Sequence, residues 1–233
     1  MGKRIIAQKR GSGTPSYTAN TLTSAGIAKQ IVQKKGMVID IINSTGHSAP
    51  LLKMKYDDKK ESLVIAAQGI KVGDILEKGE TVELKAGNTL PVKNIPEGAT
   101  IFNIEARPGD GGKLVRSSGT SAKIISVLRS KVTIKMPSGK QKELHPTCFA
   151  TIGIVAGSGR TDKPFLKAGN KFKAMAAKGR YWPSVSGAAM NAVDHPFGGA
   201  RSSRKGRPTI APKNAPPGRK VGMIRPRHTG RNK

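Results

Sequence analysis

Acidic side chains are the scarce charged group in this chain. Fourteen Asp and Glu stand against forty-two Lys and Arg, which leaves a formal charge of +28. A surface so one-sided repels itself on compaction, so a partner of opposite charge is expected. Cysteine is nearly absent. Cys148 is the only one, which excludes an internal disulfide and fits a reducing compartment. No apolar run approaches the roughly 20 residues that a membrane span needs. A long basic amphipathic helix and a signal-peptide core are also missing, so a soluble cytosolic protein with no membrane partner is expected. Only nine residues are aromatic, too few for a single-strand binder built mainly on stacking platforms.

Metal and nucleotide chemistry are equally short of parts. There are four histidines, His47, His145, His195 and His228. "HPTC" (145–148) sets His145 near Cys148, but a structural zinc site takes four ligands, usually in two close pairs, and no second pair exists. "GSGR" (157–160) lacks the Gly-Lys-Ser/Thr end of a phosphate-binding P-loop. No metal and no cofactor are expected.

What is present is charge, unevenly spread. Residues 1–36 hold seven bases and no acid, residues 37–110 hold nine bases and eleven acids, residues 111–157 hold eight bases and one acid, and residues 158–233 hold eighteen bases and two acids. A near-neutral module is flanked by basic material. Nucleic acid is the leading partner, because binding it releases condensed counterions.

The middle of the chain reads as short strands. "GMVIDIIN" (36–43) is apolar and β-branched. "PLLKMKY" (50–56) alternates, with Leu52, Met54 and Tyr56 on one face. "ESLVIAA" (61–67), "GDIL" (73–76), "ETVELKAG" (80–87), "NTLPVKNI" (88–95) and "ATIFNIEA" (99–106) follow. Strands this short, with turns every 8–12 residues or so, suggest a small antiparallel barrel of the OB kind. After the glycine-rich "RPGDGGKLVRSSG" (107–119), read either as a linker or as a hinge, come "AKIISVLR" (122–129), "KVTIKMP" (131–137), "KQKELH" (140–145) and "ATIGIVA" (150–156). These fit a second, SH3-like barrel.

"AGNKFKAMAAKGR" (168–180) predicts a short helix with Phe172, Met175 and Ala176 on one face and Gly179 at its end. Beyond Arg180, and again in "GKRIIAQKRGSGTPSYTAN" near the start, Gly, Pro and base outnumber large apolar groups. Such segments bury too little surface to offset their ordering entropy alone and are expected to order on a folded polyanion.

One stretch looks catalytic. In "MNAVDHPFGGA" (190–200), His195 sits between an acid and a proline, and two glycines follow. His195 as a general base oriented by Asp194 or Asp162 is one reading. No nucleophile, metal set or oxyanion motif accompanies it. The other reading is a histidine that hydrogen-bonds RNA or backbone in a tight turn, with Gly198 and Gly199 letting main-chain N–H groups approach a phosphate. Just upstream, "KGRYWPSVSGAAMN" (178–191) sets Tyr181 and the one tryptophan, Trp182, beside Lys178 and Arg180. This is either a base-stacking and phosphate-binding patch or an apolar plug.

"RYWPSVSGAAMNAVDHPFGG" (180–199) resembles the signature of the universal L2 family of large-subunit ribosomal proteins, Gly-x-Ala-Met-Asn-Pro-Val-Asp-His-Pro-x-Gly-Gly. Ala192 stands where many members have proline, and Phe197 where many have histidine. "RPGDGGKLVRSSGTSAKIIS" (107–126) and "GRTDKPFLKAGNKFKAMAAKGRYWP" (159–183) are similar to the family's inter-domain stretch and to the lead-in to the signature. The opening "GKRIIAQKRGSGT" resembles archaeal or eukaryotic members rather than bacterial ones. The resemblance implies a mostly β fold of two small barrels, OB-like then SH3-like, with extended basic ends. Its expected parts are an N-terminal extension (1–36), an OB-like barrel (37–106), a linker (107–119), an SH3-like barrel with a short helix (120–178) and an RNA-penetrating extension (179–233).

The same resemblance implies a structural, non-enzymatic constituent of the cytoplasmic ribosome. Its partners would be large-subunit ribosomal RNA, other ribosomal proteins, and the small subunit across a bridge. It would support subunit association and the architecture around the peptidyl-transferase region, where a catalytic role for the family histidine would fall on His195. The expected RNA contacts are Lys3, Arg4, Lys9 and Arg10 at the start, and Arg116 and Arg160 in the middle. Around the signature they are Lys178, Arg180, Tyr181, Trp182, Asn191, His195, Gly198 and Gly199. In the tail they are Arg201, Arg204, Lys205, Arg207, Arg219, Lys220, Arg225 and Arg227.

Overall fold

The computed structural model describes residues 2–19, 22–199 and 210–224. The chain divides into two compact units, Asn20–Leu166 and a second one made of Met1–Ala19 together with Lys167–Lys233. The expected extension 1–36 is therefore shared between them.

Asn20–Leu166 holds all ten strands found among the described residues: β1 (Lys35–Ile42), β2 (Leu51–Lys55), β3 (Glu61–Ile65), β4 (Ile75–Glu77), β5 (Thr89–Pro91), β6 (Thr100–Phe102), β7 (Ala122–Val127), β8 (Val132–Lys135), β9 (Gln141–Leu144) and β10 (Phe149–Ile152). They make two antiparallel sheets, β3-β2-β1-β4 and β5-β10-β6-β7-β8-β9. The fold is mostly β, as expected. Among the described residues no ladder joins the outer strands of either sheet, so both sheets are open rather than closed barrels. Sheet membership changes between β4 and β5, ahead of the 107–119 stretch. β5 and β6 pair with β10, and Lys78 and Thr89 form an isolated bridge from the end of β4 to the second sheet.

The alternation in β2 does what its pattern predicts. Leu52, Met54 and Tyr56 pack on Ile31, Val38, Val64 and Leu76. Leu51 points the other way and is buried too, against Ala28, Ile65, Phe102 and Val155. A third cluster lies under the second sheet, around Ile101, Ile124, Ile134 and Leu144. Cys148 belongs to it, and burial pushes its thiol above the ordinary value. That placement settles Cys148 as core and leaves His145 to bond with Thr147 (2.6 Å).

Residues 80–87 form no strand, although their sequence predicts one. Val82 is half-buried, Leu84 is exposed, and the Lys85 N–H turns back to the Glu83 carbonyl at 2.8 Å. Alternation is not enough for a strand that finds no neighbour to pair with. The 107–119 stretch is built around two carboxylates. Glu105 is almost fully buried and accepts the N–H groups of Gly109 (3.1 Å), Gly111 (3.2 Å) and Phe149 (3.0 Å). Asp110 accepts those of Ala106, Arg107 and Gly112.

In the other unit, α1 (Ile6–Gly11) forms where no regular structure is expected. It is opened by Gln8, whose side chain accepts the Ile5 N–H at 2.9 Å. α2 (Ala168–Ala177) is the expected helix. It ends at Lys178, Gly179 follows at φ +62, and the Arg180 N–H closes on the Met175 carbonyl at 2.9 Å.

Candidate nucleic-acid interface

The unit Met1–Ala19 with Lys167–Lys233 contains twenty Lys and Arg and a single acidic residue, Asp194. That acid is already paired. Lys3 reaches it at 3.3 Å, and the Lys3 backbone N–H donates to the Val193 carbonyl at 2.8 Å. The N-terminal segment is thereby pinned to the turn that carries His195.

The turn is locked by its own main chain. The Asn191 carbonyl accepts from Asp194 (3.0 Å) and His195 (3.2 Å), the His195 carbonyl accepts from Gly198 (2.9 Å), and the Met190 carbonyl accepts from Gly199 (3.1 Å). The His195 ring accepts the Phe197 N–H at Nδ1 (3.0 Å), so in the neutral ring the proton sits on Nε2. The ring also stacks obliquely on Phe197, 5.3 Å between centroids. Its face lies against Gly187, where a Cβ would overlap the imidazole. A Cβ on Gly198 would likewise overlap the main chain of Met190 and Asn191.

This geometry does not assemble a base and its orienter. Asp194 engages Lys3 rather than the imidazole, and Nδ1 is taken by backbone. Asp162 belongs to the other unit. Among the described residues no three His, Cys, Asp or Glu side chains converge as metal ligands.

Tyr181 and Trp182 are brought to a cluster that sequence reasoning missed in part. Tyr17 stands 6.0 Å from Tyr181, and the Lys171 ammonium lies 5.3 Å over the Trp182 ring. Trp182 is half-buried and Tyr181 about half-exposed. The Trp182–Pro183 peptide is cis. Nothing local marks Tyr17 or Lys171 as members. Tyr17 is joined to its partner only by chain reversal over more than 160 residues, and Lys171 lies one helix away from its partner.

The other expected contacts fall as follows. Arg4, Lys9, Arg10, Arg180, Asn191, Arg219 and Lys220 are exposed in the same unit, and Lys178 is half-buried there as the cap of α2. Arg160 and Arg116 belong to Asn20–Leu166. Arg160 is exposed and donates to Ser118 at 2.9 Å. Arg116 is half-buried, donates to the carbonyls of Ala28 (2.6 Å) and Gly112 (3.1 Å), and is drawn below its ordinary value by burial. The first of these bonds holds the 22–34 strap in place, and the second holds the 107–119 stretch. Arg201, Arg204, Lys205, Arg207, Arg225 and Arg227 lie outside the described residues. Within them, no helix is long and apolar enough to cross a membrane.

Comparison with known proteins agrees in family. The family model described as "Ribosomal Proteins L2, C-terminal domain" matches residues 85–218. A protein named large ribosomal subunit protein uL2 from Methanocaldococcus jannaschii is 51% identical over 239 aligned residues, covering 99% of this chain and 99% of that relative. Its counterpart from Archaeoglobus fulgidus is 50% identical over 234 residues with the same coverage. Another, from Methanothermobacter thermautotrophicus, is 47% identical over 241 residues and covers both chains in full.

Proposed function

The chain belongs to the ribosomal protein L2 family, and from that premise we propose that it is a structural constituent of the large subunit of the cytoplasmic ribosome and binds large-subunit ribosomal RNA directly. Other ribosomal proteins are its neighbours, and it supports subunit association across a bridge to the small subunit. The observation that carries this reading is the net +19 of the unit formed by the two chain ends, whose single acid is already bound to Lys3. Charge of that density has no counter-charge within its unit and is relieved by phosphate.

The mechanism is scaffolding. Asn20–Leu166 supplies a packed β surface of modest charge. The terminal unit supplies phosphate contacts: Arg offers two donors to one phosphate, and Tyr181 and Trp182 offer faces to unstacked bases. Contact with about ten phosphates would make log K fall with log salt at a slope near −9 by the duplex rule. Residues 200–233 carry eleven bases and no acid. Deleting them is expected to weaken RNA binding and to flatten the slope to roughly half its value, if half of the phosphate contacts lie there. Filter binding of full-length and truncated chain across a salt series reads this directly. An unchanged slope would sink the proposal.

The protein is not an enzyme in this reading. His195→Gln separates scaffolding from catalysis. A general base would leave particle composition intact and slow peptide-bond formation by about 10² or more. The scaffold predicts the reverse: impaired assembly or subunit joining, with near-normal chemistry in the particles that form. Sedimentation profiles and a puromycin reaction on purified subunits give the two readouts.

A further inference from the structure

We propose that the pocket beside His195 seats one extruded nucleotide of the ribosomal RNA, its phosphate on the arginines and its base on the apolar wall. The proposal rests on the RNA-binding reading above and specifies the ligand of that site. The pocket measures about 330 Å³ and lies wholly within the terminal unit, between the N-terminal segment, the 192–196 turn and the bend at 217–219. That volume is at the small end of the roughly 300–1,000 Å³ range of ligand sites, a size for one nucleotide rather than a stretch of helix.

Its wall is chemically divided. Arg4 and Arg219 border it, and among the described residues no carboxylate pairs with either. Pro196 and Pro217 line it with exposed apolar rings, and Ile5 meets it with the small part of its surface that is not buried. A free phosphate would need only the cations; a planar base attached to that phosphate uses both walls. Gln8 adds a fixed polar group. The Ile5 N–H holds its Oε1 at 2.9 Å, which orients the amide and leaves the Nε2 hydrogens to meet an acceptor on a base edge. The site is preorganised, because Lys3 is tied to both Asp194 and Val193 before any ligand arrives. A base splayed from its stack can reach such a pocket, whereas a paired base cannot.

Val193 lines the pocket with an exposed side chain, so Val193→Trp fills it without removing a charge. In assembled large subunits probed with dimethyl sulfate and a 2′-hydroxyl acylating reagent, one nucleotide silent in the wild type is expected to rise at least about fivefold in Val193→Trp and to stay silent in Val193→Ala. No change in any nucleotide, with the variant at wild-type stoichiometry, overturns the pocket. A second measurement needs no filled pocket. Photo-leucine in place of Ile5, irradiated in the intact subunit, is expected to give one dominant reverse-transcription stop. Stops spread along neighbouring nucleotides, none at all, or crosslinks to protein instead of RNA overturn the proposal. Absence of the wild-type chain from the large-subunit peak would instead overturn the RNA-binding reading beneath it.

Discussion

Replacing Glu105 with alanine is expected to destabilise the full chain by roughly 3–5 kcal/mol, the summed cost of leaving three backbone donors without their charged acceptor. Three backbone N–H groups, from Gly109, Gly111 and Phe149, converge on this one carboxylate. Gly111 and Phe149 are half-buried and Gly109 is exposed, so the first two donors bear most of the cost, at about 1–3 kcal/mol for each donor left without an acceptor. Lys78 adds to the loss. Its half-buried ammonium sits 4.6 Å over the Phe149 ring; burial lowers its pKa, and the charge of Glu105 pulls it back up. At about 2–4 °C per kcal/mol for a chain of this size, the melting temperature should fall by on the order of 10 °C. Asp110→Asn is the control, because Asp110 is only half-buried and Asn keeps one acceptor. It should cost about 1 kcal/mol. Urea unfolding followed by far-ultraviolet circular dichroism measures both. A Glu105→Ala chain within about 1 kcal/mol of wild type would show that the loop is not built on this carboxylate.

Glu105 also marks where the sequence could and could not be read. The strands on either side of it are legible because each turns an alternating face toward a core: Leu52, Met54 and Tyr56 announce their common side, and they share it. The acid itself ends a strand-like run, "ATIFNIEA", with no sign that it will be buried. Its three donors come from a glycine loop a few residues on and from a strand 44 residues away. The open sheets were hidden for the same reason. Alternation in "NTLPVKNI" predicts a strand but not its partner, and β5 pairs with β10 across some sixty residues rather than with its chain neighbours. Gln30 is a further case: its Nε2 donates to the carbonyls of Asn103 (2.7 Å) and Phe149 (3.1 Å), which draws the 22–34 strap onto the second sheet. Patterns of period two or 3.6 report which way a side chain faces; they carry nothing about which distant backbone will meet it.

At the site the balance is different. Composition alone exposed the basic ends, and His195 between Asp194 and Pro196 drew attention to the 190–199 turn. What remained illegible was the use of Asp194. In the sequence it is the nearest acid to a histidine; in the fold it is the anchor for Lys3. The two neighbours make separate contacts, and the partner that takes up Asp194 lies at the opposite end of the chain.

The turn itself yields the second large prediction. Gly198→Ala should loosen the chain from the assembled subunit, because its new Cβ would meet the main-chain atoms of Met190 and Asn191 rather than a side chain that could move aside. Overpacking of this kind costs about 1–3 kcal/mol where neighbours can shift, and a doubly bonded turn can shift little. The upper end of that range is roughly a 100-fold loss of affinity. Opening the turn would displace His195 from Gly187 and draw the Val193 carbonyl and Asp194 away from Lys3, so the N-terminal segment should be released along with it. Stripping purified subunits with increasing ammonium chloride reads the effect as the salt concentration that frees half of the protein. Gly198→Ala should come off well below wild type. Gly169→Ala, in α2 with open space around its Cβ, should match wild type. If both variants strip with the wild-type profile, the 190–199 turn is not what holds this end of the chain on the RNA.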